Sequence, residues 1–541
     1  MKIIAIALGL CEVASMAMLF TILLESSWSI SIQGLLFALA CYALIVKKDV
    51  LKIPRFSVKY GVLFFVLILL NISFIWAVKM FPLDDAALVF TTLQAPLEGF
   101  SNIFVKKYIT DVLLTSIILA LFLTFAVQRV SSFKIKTAVL LLFCLFLAGW
   151  AFGAVYSVIV SNDYKNQLLE HYNDDGKWAH SDFFSKNYVF VDSIVNSNDS
   201  VQPRNLIFII MESMETSFMD VPQKGNLITE LTQVRGGEYN FSNSVGFGGG
   251  QDVEGSTNTI TAIMAKTTAC PFLFRFGMSY SLFTLTGTKS IYELLSKHGY
   301  YNVFIQGTDA KFSGKERLFR LHGIDDVYAS EKLTKFQDFT GNDDDQEFDI
   351  GITDRALIEI SKGVLDTLSR KEHFTFTLLT VETHFPYGFY NPACEDKPID
   401  SSEESKFEAA IRCASKDMRK FIEWIKEQPY YENTEIVVAG DHLYPGEYLV
   451  DKNDSTRRWI DLFINPAIQP KKLKKRDFTS FDIAPSILES MGFDVDGHRM
   501  GFGVSLFSEE ATLLEKYGLN ELNDGMLQVK KSTEYKNLNG I

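Results

Sequence analysis

The stretch Asn205-Leu-Ile-Phe-Ile-Ile-Met-Glu-Ser213 decides the fold of the larger part of this chain. An unbroken apolar run ends at Glu212, which is typical of a strand that is buried on both faces and carries a polar residue at its end. Similar runs recur at Tyr301–Ile305, Phe374–Val381 and Glu435–Val438. Longer amphipathic segments between them predict helices, for example over Ser290–His298, Asp354–Ser369 and Phe407–Glu427. We therefore predict an α/β domain with a largely parallel sheet and helices on both faces.

Polar side chains follow three of these runs at the point where each predicted strand ends. The first run leads into Glu212, the third into Glu382-Thr383-His384, and the fourth into Asp441-His442. For any one of them alone, a loop acid or a surface histidine is the better explanation, but parallel strands bring their carboxyl ends to one edge. Carboxylates and imidazoles together suit Mn²⁺, Zn²⁺ or Mg²⁺. The sequence therefore predicts a divalent metal site at this edge.

A candidate nucleophile lies in the glycine-rich and then hydroxyl-rich stretch that begins at Gly246. The stretch continues into a predicted helix with Ile260 on its apolar face. A hydroxyl at a helix N-terminus lies beside backbone N–H groups that favour a phosphate. Ser256, Thr257 and Thr259 are all candidates, although on composition alone a simple N-cap is the better explanation of each. The chemistry alone leaves the choice between the two threonines open.

The first third of the chain predicts an integral membrane domain. Apolar stretches long enough, or nearly so, to cross a bilayer run over Ile3–Leu24, Ile30–Val46, Tyr60–Lys79, Asp111–Val127 and Thr137–Val160. Lysine and arginine cluster in the connections at residues 47–59 and 129–136, which the positive-inside rule assigns to the cytoplasm. Everything after Ser161 is then expected outside. We predict a five-helix transmembrane domain at residues 1–161, a linker at 162–203 and a catalytic domain at 204–541.

Charge and cysteine content narrow the functional classes. The net charge of −13 argues against a general nucleic-acid binder, which would carry a basic face. No Cys/His cluster with zinc-finger spacing is present in the sequence. Cys394 and Cys413 both follow the His384 strand, in a compartment predicted to permit oxidation, and we predict a disulfide between them.

These motifs, in this order, resemble a known family. The series consists of Glu212-Ser213, Thr259-Ile260 at a helix start, Thr383-His384-Phe385-Pro386 and Gly440-Asp441-His442. It resembles the lipoteichoic acid synthase and phosphoglycerol transferase I group of the alkaline phosphatase superfamily, over most of Asn205–Phe507. The segment Gln306–Lys315 looks closest to the phosphoglycerol transferase branch. The resemblance implies an alkaline-phosphatase or sulfatase-like α/β sandwich domain behind a five-helix membrane anchor.

The resemblance also implies roles for individual residues. It makes Glu212, Thr259, Asp441 and His442 the metal site, with Thr259 doubling as the nucleophile. His384 matches the active-site histidine beside the leaving or entering oxygen. The residues implied to line the substrate head-group pocket are Gln306, Lys311 and Lys315. Lipoteichoic acid synthases have His, Trp and Arg in that segment, where this chain has Gln306, Ser313 and Lys315, so the resemblance argues against polymerisation of glycerol phosphate.

The reaction implied by the resemblance is a group transfer outside a bacterial cytoplasmic (inner) membrane. Phosphoglycerol would pass from phosphatidylglycerol to a cell-envelope glycan through a phosphothreonine, with Mn²⁺, Zn²⁺ or, as a third choice, Mg²⁺ as cofactor. The expected partners are a membrane phospholipid donor and an envelope glycan or lipopolysaccharide acceptor, with no nucleic acid. A phosphoethanolamine transferase acting on lipopolysaccharide core is the main alternative.

Further alternatives are a sulfatase, a phosphodiesterase and a non-catalytic membrane sensor. Sulfatases convert a Cys or Ser in a Cys/Ser-x-Pro-x-Arg context into formylglycine, whereas Thr259 is followed by Ile-Thr-Ala-Ile. A non-catalytic sensor would be expected to have lost a metal ligand or the nucleophile. All of these residue types are present, so the sequence favours an enzyme.

Overall fold

The computed structural model describes most of the chain after residue 176 and little before it. The described residues are a few positions between 62 and 73, then 108–128, 177–196, 201–234, 238–239, 241, 248–274, 282–311, 314–333, 347–348, 351–385, 388–389, 403–446, 449–451, 453–472 and 476–541. The chain divides into two compact units, Met1–Val89 with Asn102–Asn173, and Phe90–Ser101 with Asp174–Ile541. The candidate site lies in the second unit.

In the first unit, one long described segment is helical. A π-helix over Tyr108–Leu114 continues into α1, Thr115–Gln128, and together they cover the fourth predicted span. Within the part of the chain that the structure describes, no helix is both long and apolar enough to cross a bilayer. The other four predicted spans lie wholly or mostly outside the described residues. The five-helix membrane domain therefore stays a prediction.

The second unit is an α/β domain. Its described strands are β1 Val195–Asn196, β2 Asn205–Met211, β3 Glu238–Tyr239, β4 Gly248–Gly250, β5 Tyr300–Gln306, β6 Asp326–Tyr328, β7 Glu347–Phe348, β8 Gly351–Ile352, β9 His373–Leu379, β10 Thr434–Gly440, β11 Trp459–Ile464, β12 Phe493–Asp494, β13 Arg499–Met500 and β14 Gly503–Val504. Its described helices are α2 Asp182–Asn187, α3 Thr259–Thr268, α4 Ile291–Ser296, α5 Lys315–Leu321, α6 Ser330–Leu333, α7 Asp354–Leu368, α8 Glu403–Lys426, α9 Ile483–Ser490, α10 Leu513–Lys530 and α11 Thr533–Leu538. Short 3₁₀ turns lie at Thr216–Met219, Leu231–Gln233, Pro429–Asn433, Ser480–Asp482 and Asp496–His498.

The central sheet is mixed, with a parallel majority. Its order is β3-β11-β10-β2-β9-β5-β6, and β4 also pairs with β11. Strands β10, β2, β9, β5 and β6 run parallel, whereas β11 is antiparallel to β10 and to both β3 and β4. All seven residues of β2 are buried, as expected for a strand covered on both faces. The α/β prediction is confirmed, and the antiparallel edge was not foreseen.

Helices cover both faces of this sheet. Ile207, Ile209 and Met211 of β2 belong to the apolar core that includes the buried faces of α7 and α8. On the opposite face, the Tyr292 hydroxyl of α4 lies 2.8 Å from Thr377 Oγ1 of β9. Burying each large apolar side chain in such layers contributes roughly 1.5–3 kcal/mol. The strands are therefore held rigidly, and so are the residues at their ends.

The start of the second unit packs closely against the domain instead of standing away from it. Residues 177–196 lie inside the segment 162–203 that we predicted as a linker. Phe184 and Tyr188 are buried, and Phe502 lies against both rings, with centroids 5.7 and 5.1 Å away. Val189 pairs with Gly501 in an isolated bridge. This part of the segment is therefore an element of the domain.

Two cysteines of the domain are in different states. Cys413 on α8 is disulfide-bonded, and its partner lies outside the described residues. Cys270, just after α3, is a free and buried thiol. Bridging of Cys413 agrees with the sequence, and its pairing with Cys394 stays a prediction.

Candidate active site and metal centre

Three neighbouring parallel strands place the candidate site. β2 lies between β10 and β9, with Met211 level with Gly440 and Ile210 level with Leu379. The residues that follow these positions therefore leave the sheet side by side at one edge. In this way the register of the sheet brings Glu212 next to Asp441, although more than two hundred residues separate them.

Glu212, Asp441 and His442 form a buried group that can hold a metal ion. One ligand atom of each lies within 4.8 Å of the others. His442 Nε2 is 3.3 Å from Asp441 Oδ2 and 3.6 Å from Glu212 Oε1. His442 Nδ1 lies 2.8 Å from the Leu443 carbonyl, an arrangement that leaves Nε2 to face the carboxylates.

The electrostatics of this group fit a cation. Asp441 Oδ2 is buried and has no hydrogen-bond partner among the described residues. Burial, followed by repulsion from Glu212, raises the pKa of Asp441 to about 7. Burial lowers the pKa of His442, but the charges of Asp441 and Glu212 outweigh this effect and raise it to about 9. The two buried carboxylates raise the pKa of the neighbouring imidazole because they place excess negative charge in the site. A divalent ion bound by these three side chains would neutralise that charge. The residues therefore fit the implied metal.

Thr259 lies beside this group at the start of α3. Its Oγ1 is 3.2 Å from Glu212 Oε2 and 3.5 Å from His442 Nε2. The N-cap of α3 is Asn258, which forms a capping box with Thr261. Because another residue caps the helix, the Thr259 hydroxyl is left to face the carboxylates. The expectation that Ser256, Thr257 or Thr259 caps this helix is thus wrong.

The other two hydroxyl candidates have different surroundings. Ser256 is buried, and its Oγ donates to the Val253 carbonyl at 2.9 Å within a turn. Thr257 is exposed. Of the three, Thr259 has the hydroxyl that the structure brings into hydrogen-bonding range of Glu212.

Hydrogen bonds fix the turn that carries Glu212. The Glu212 backbone N–H donates to Thr380 Oγ1 at 2.9 Å, and Thr383 Oγ1 donates to the Glu212 carbonyl at 2.5 Å. Ser213 adopts a φ of 50°, a left-handed conformation that is costly for a residue with a side chain. Its N–H donates to Asp441 Oδ1 at 2.7 Å, and its Oγ donates to Glu212 Oε1 at 2.8 Å. The strained turn is thus held by the same carboxylates that form the candidate metal site.

The remaining predicted site residues lie around this edge in different environments. His384 is exposed, two residues beyond Glu382, and interacts electrostatically with His442, Asp441 and Lys315. Lys315, the first residue of α5, is buried and interacts electrostatically with Glu212. Burial lowers its pKa to about 8, although Glu212 and Asp309 oppose the shift.

Gln306 and Lys311 belong to the same segment as Lys315. Gln306 ends β5 and is buried, with Nε2 donating to the Thr308 carbonyl at 3.2 Å. Its Oε1 is buried without a hydrogen-bond partner among the described residues. Lys311 is exposed, and its backbone N–H donates to Asp309. The three residues are therefore not equivalent, because two are buried and one faces solvent.

Lys266 is a charged residue of this region that the sequence pattern did not indicate. It is completely buried on α3, and its Nζ donates to the Asp441 carbonyl at 2.6 Å and to Ser480 Oγ at 2.7 Å. The ammonium also lies 4.0 Å from the centroid of the Trp459 ring. Burial lowers its pKa to about 8, against the effect of three nearby aspartates. A lysine within a largely apolar helix was the available signal.

The chain is similar in sequence to known proteins. Phosphoglycerol transferase I of Salmonella arizonae is 29% identical over 317 residues, which cover 57% of this chain and 39% of that protein. The protein of the same name from Escherichia coli O127:H6 gives the same identity and coverage. The chain therefore matches these relatives over well under half of their length.

Solved structures that resemble the chain are more distant. The lipoteichoic acid synthase LtaP from Listeria monocytogenes is 17% identical, with a TM-score of 0.45 over 57% of this chain and 77% of LtaP. The integral membrane phosphoethanolamine transferase EptA from Neisseria meningitidis is 12% identical, with a TM-score of 0.48 over 86% of this chain and 89% of EptA.

The family model described as Sulfatase matches residues 204–493, more than half of the chain. This range contains Glu212, Thr259, His384, Asp441 and His442, together with all strands of the central sheet. The family resemblance of the sequence is thereby confirmed. The chain belongs to the sulfatase family.

Proposed function

We propose that this protein is a metal-dependent transferase that moves a phosphoglycerol group through a phosphothreonine at Thr259. The observation that carries the proposal is the position of Thr259 Oγ1, 3.2 Å from Glu212 Oε2 and beside the Glu212–Asp441–His442 group. A nucleophilic hydroxyl in contact with candidate metal ligands is what a two-step transfer needs. The relatives named phosphoglycerol transferase I support the choice of group.

Glu212, Asp441 and His442 would hold the metal ion, with Thr259 as a further ligand. When bound, a divalent ion supplies Lewis-acid chemistry that makes a hydroxyl more acidic and stabilises negative charge on a phosphoryl group. The imidazole in the donor set favours Zn²⁺ or Mn²⁺ over Mg²⁺, which prefers oxygen ligands and bound water.

The chain's own residues then act in two steps. The Thr259 hydroxyl already donates to Glu212 Oε2, so its proton has an acceptor when the oxygen attacks phosphorus. The bond from phosphorus to the lipid oxygen breaks, and protonation of that oxygen releases diacylglycerol. In the second step the oxygen of an acceptor hydroxyl attacks the phosphothreonine. The bond from phosphorus to Thr259 breaks, and the Thr259 oxygen takes back its proton from Glu212. His384 is exposed at this edge, and we assign it proton transfer to the leaving oxygen and from the entering one.

Lys315 favours glycerol over ethanolamine as the head group. Its buried ammonium lies at the end of β5 near Thr308, with Nζ 3.4 Å from Thr308 Oγ1. A second ammonium, from ethanolamine, would be repelled by this charge in a site that water screens poorly. The hydroxyls of glycerol are neutral and can donate to Gln306 Oε1, which has no hydrogen-bond partner in the part of the chain that the structure describes. Phosphoethanolamine transfer remains the second candidate, because the same metal and nucleophile would serve it.

We further propose that the donor is phosphatidylglycerol and the acceptor a glycan of the cell envelope. The predicted multi-pass anchor at residues 1–161 would keep the catalytic domain near lipid head groups outside the bacterial cytoplasmic membrane. Exchange of one phosphodiester for another needs no nucleotide, and the sequence has no GxxxxGK[ST] loop. The donor and the energy source are then the same molecule.

The test uses the full chain in detergent with phosphatidylglycerol or phosphatidylethanolamine, each labelled in the head group, with and without a glycan acceptor. Diacylglycerol release from phosphatidylglycerol, label on the glycan and a phosphoglycerol adduct on Thr259 by mass spectrometry are the expected results. Adduct formation from phosphatidylethanolamine alone would replace the first candidate with the second. Cleavage of a sulfate ester without any release of diacylglycerol would refute both.

A further inference from the structure

A buried ion pair between Glu215 and Arg457 lies behind the candidate metal site. Glu215 follows Glu212 by three residues and is completely buried, and Arg457 is 6% exposed in the segment before β11. Arg457 Nε donates to Glu215 Oε1 at 2.9 Å, and Nη2 donates to Glu215 Oε2, so the pair is bidentate. Neither residue belongs to the proposed metal site or to the proposed chemistry.

The pair holds the backbone of the loop that carries Asp441 and His442. The Tyr444 N–H donates to Glu215 Oε2 at 2.9 Å, and the Tyr444 carbonyl accepts from Arg457 Nη2 at 2.6 Å. Tyr444 is thus fixed at both its donor and its acceptor, two residues beyond His442. A shift of this peptide would move the imidazole directly.

Backbone hydrogen bonds on either side of the same pair fix the loop that carries Glu212. The Thr216 N–H donates to the Arg458 carbonyl at 2.7 Å, and the Ile460 N–H donates to the Met214 carbonyl at 3.1 Å. Glu215 therefore lies in a turn tied on both sides to the segment that contains Arg457. This turn follows the strained Ser213, whose conformation needs such support.

We propose that Glu215 and Arg457 are positioning residues that set the separation between Glu212 and the Asp441–His442 pair, and thereby the affinity for the divalent ion. The inference rests on the proposed function, because it takes this group as the metal site. Partners that orient metal ligands typically change metal affinity 10- to 100-fold when they are altered. A buried ion pair with only a structural role would lower stability without this specific loss.

The chain offers a matched control in Arg476. This guanidinium is also buried, donates to Glu515 Oε1 at 2.8 Å and to the Ser508 carbonyl at 2.8 Å, and belongs to neither metal-ligand loop. Arg476→Lys should therefore perturb a similar pair without moving Tyr444.

The experiment measures binding of Mn²⁺ alone and of Zn²⁺ alone to the metal-stripped full chain in detergent, together with its thermal midpoint. We expect Arg457→Lys and Glu215→Gln to weaken binding about 10- to 100-fold, and Arg476→Lys to change it less than twofold. The double variant Glu215→Leu with Arg457→Met removes both charges. Replacing a buried ion pair by apolar residues often leaves the free energy of unfolding unchanged. It should stay folded and still bind metal at least about tenfold more weakly.

Two results would overturn the inference while the proposed function stands. One is wild-type affinity in the folded double variant, and the other is an equal loss of affinity in Arg476→Lys. Failure of the wild-type protein to bind either ion would instead refute the metal site itself, and the positioning role with it.

Discussion

The ammonium of Lys266 donates a hydrogen bond to the backbone carbonyl of Asp441 at 2.6 Å. Lys266 lies on α3, the helix that begins at Thr259, and Asp441 begins the loop after β10. This single contact therefore ties the candidate nucleophile's helix to a candidate metal ligand. Asp461, on the adjacent β11, is buried with neither carboxylate oxygen hydrogen-bonded among the described residues, and it interacts electrostatically with Lys266.

We expect Lys266→Met to destabilise the domain strongly. The substitution keeps the length of the side chain but removes the buried cation that interacts electrostatically with Asp252, Asp441 and Asp461. Removing one partner of a buried charge network typically costs about 3–5 kcal/mol. Urea unfolding of the metal-free protein measures the loss. As a control, Lys289→Met removes the partly exposed partner of Glu293, 2.9 Å away, and should change stability by about 1 kcal/mol or less. Equal effects of the two substitutions would contradict the assigned role of Lys266.

Thr259→Ala is expected to lower turnover at least about 10³-fold, because loss of a covalent nucleophile removes the two-step path. Folding should be unchanged, because Asn258 and not Thr259 caps α3. Metal binding should be largely retained through Glu212, Asp441 and His442. Diacylglycerol release from phosphatidylglycerol is the measurement. Thr257→Ala is the matched control and should remain active; an inactive Thr257→Ala beside an active Thr259→Ala would place the nucleophile two residues earlier.

Glu212→Gln, Asp441→Asn and His442→Gln should each lose most of the bound metal, because each removes one ligand from a group of three. Metal content of the purified variants by mass spectrometry measures this loss, and a chelator should inactivate the wild-type protein. Glu382→Gln is a useful control, since this carboxylate is also buried at the same edge but is not in the metal group. Unchanged metal content in all three ligand variants would refute the site.

Asp482 should make the domain less stable as the pH rises from about 4 to about 7. Burial raises its pKa to about 7, against the hydrogen bonds from the Thr479 and Val504 N–H groups and the charge of Arg476. The native state therefore binds the proton more tightly than the unfolded chain, and it loses this advantage on ionisation. For a shift of this size the linked free energy of unfolding is about 4 kcal/mol.

The measurement compares the free energy of unfolding of the wild-type protein and Asp482→Asn between pH 4 and pH 8. Asn cannot ionise, so the stability of the wild-type protein relative to the variant should fall as the pH increases. A constant difference across this range would show that Asp482 does not keep its proton in the native state.

Cys413 is expected to be bridged to Cys394. The bond would close a loop of about 20 residues. In the chain-entropy model, loss of such a disulfide lowers the free energy of unfolding by roughly 3 kcal/mol. Peptide mapping of the unreduced protein should find these two cysteines linked, and Cys413→Ser should lower the unfolding free energy. Cys270→Ala serves as the control for a buried thiol without a bridge. Linkage of Cys413 to any other cysteine would correct the pairing.

Much of the central sheet follows from local pattern. Continuous apolar runs predicted β2, β5, β9 and β10 to within two residues at either end, because strands buried on both faces need no polar alternation. The residues after two of those strands, β2 and β10, form the candidate metal group. By contrast, β11 is equally buried but antiparallel, and direction is not encoded in a run of apolar residues.

The supporting residues of the site were beyond the reach of the sequence pattern. Glu215 and Arg457 are separated by more than two hundred positions and meet only because β2, β10 and β11 are neighbours in the sheet. Lys266 lies in a largely apolar stretch of the sequence, but only the packing of α3 against Trp459 shows which groups its ammonium contacts. The residue types at strand ends predict the metal ligands. The groups that orient those ligands can be identified only from the tertiary structure.

The packing of residues 177–196 decides where a water-soluble catalytic fragment should begin. A fragment cut at the family-model boundary, residue 204, would lack Phe184 and Tyr188 and would uncover the ring of Phe502 that they contact. It would also lose the pairing of Ala179 with Ser532 near the start of α11. Newly uncovered aromatic surface of this kind promotes self-association. A fragment of the domain for crystallography should therefore begin near residue 177, so that it includes the helix Asp182–Asn187.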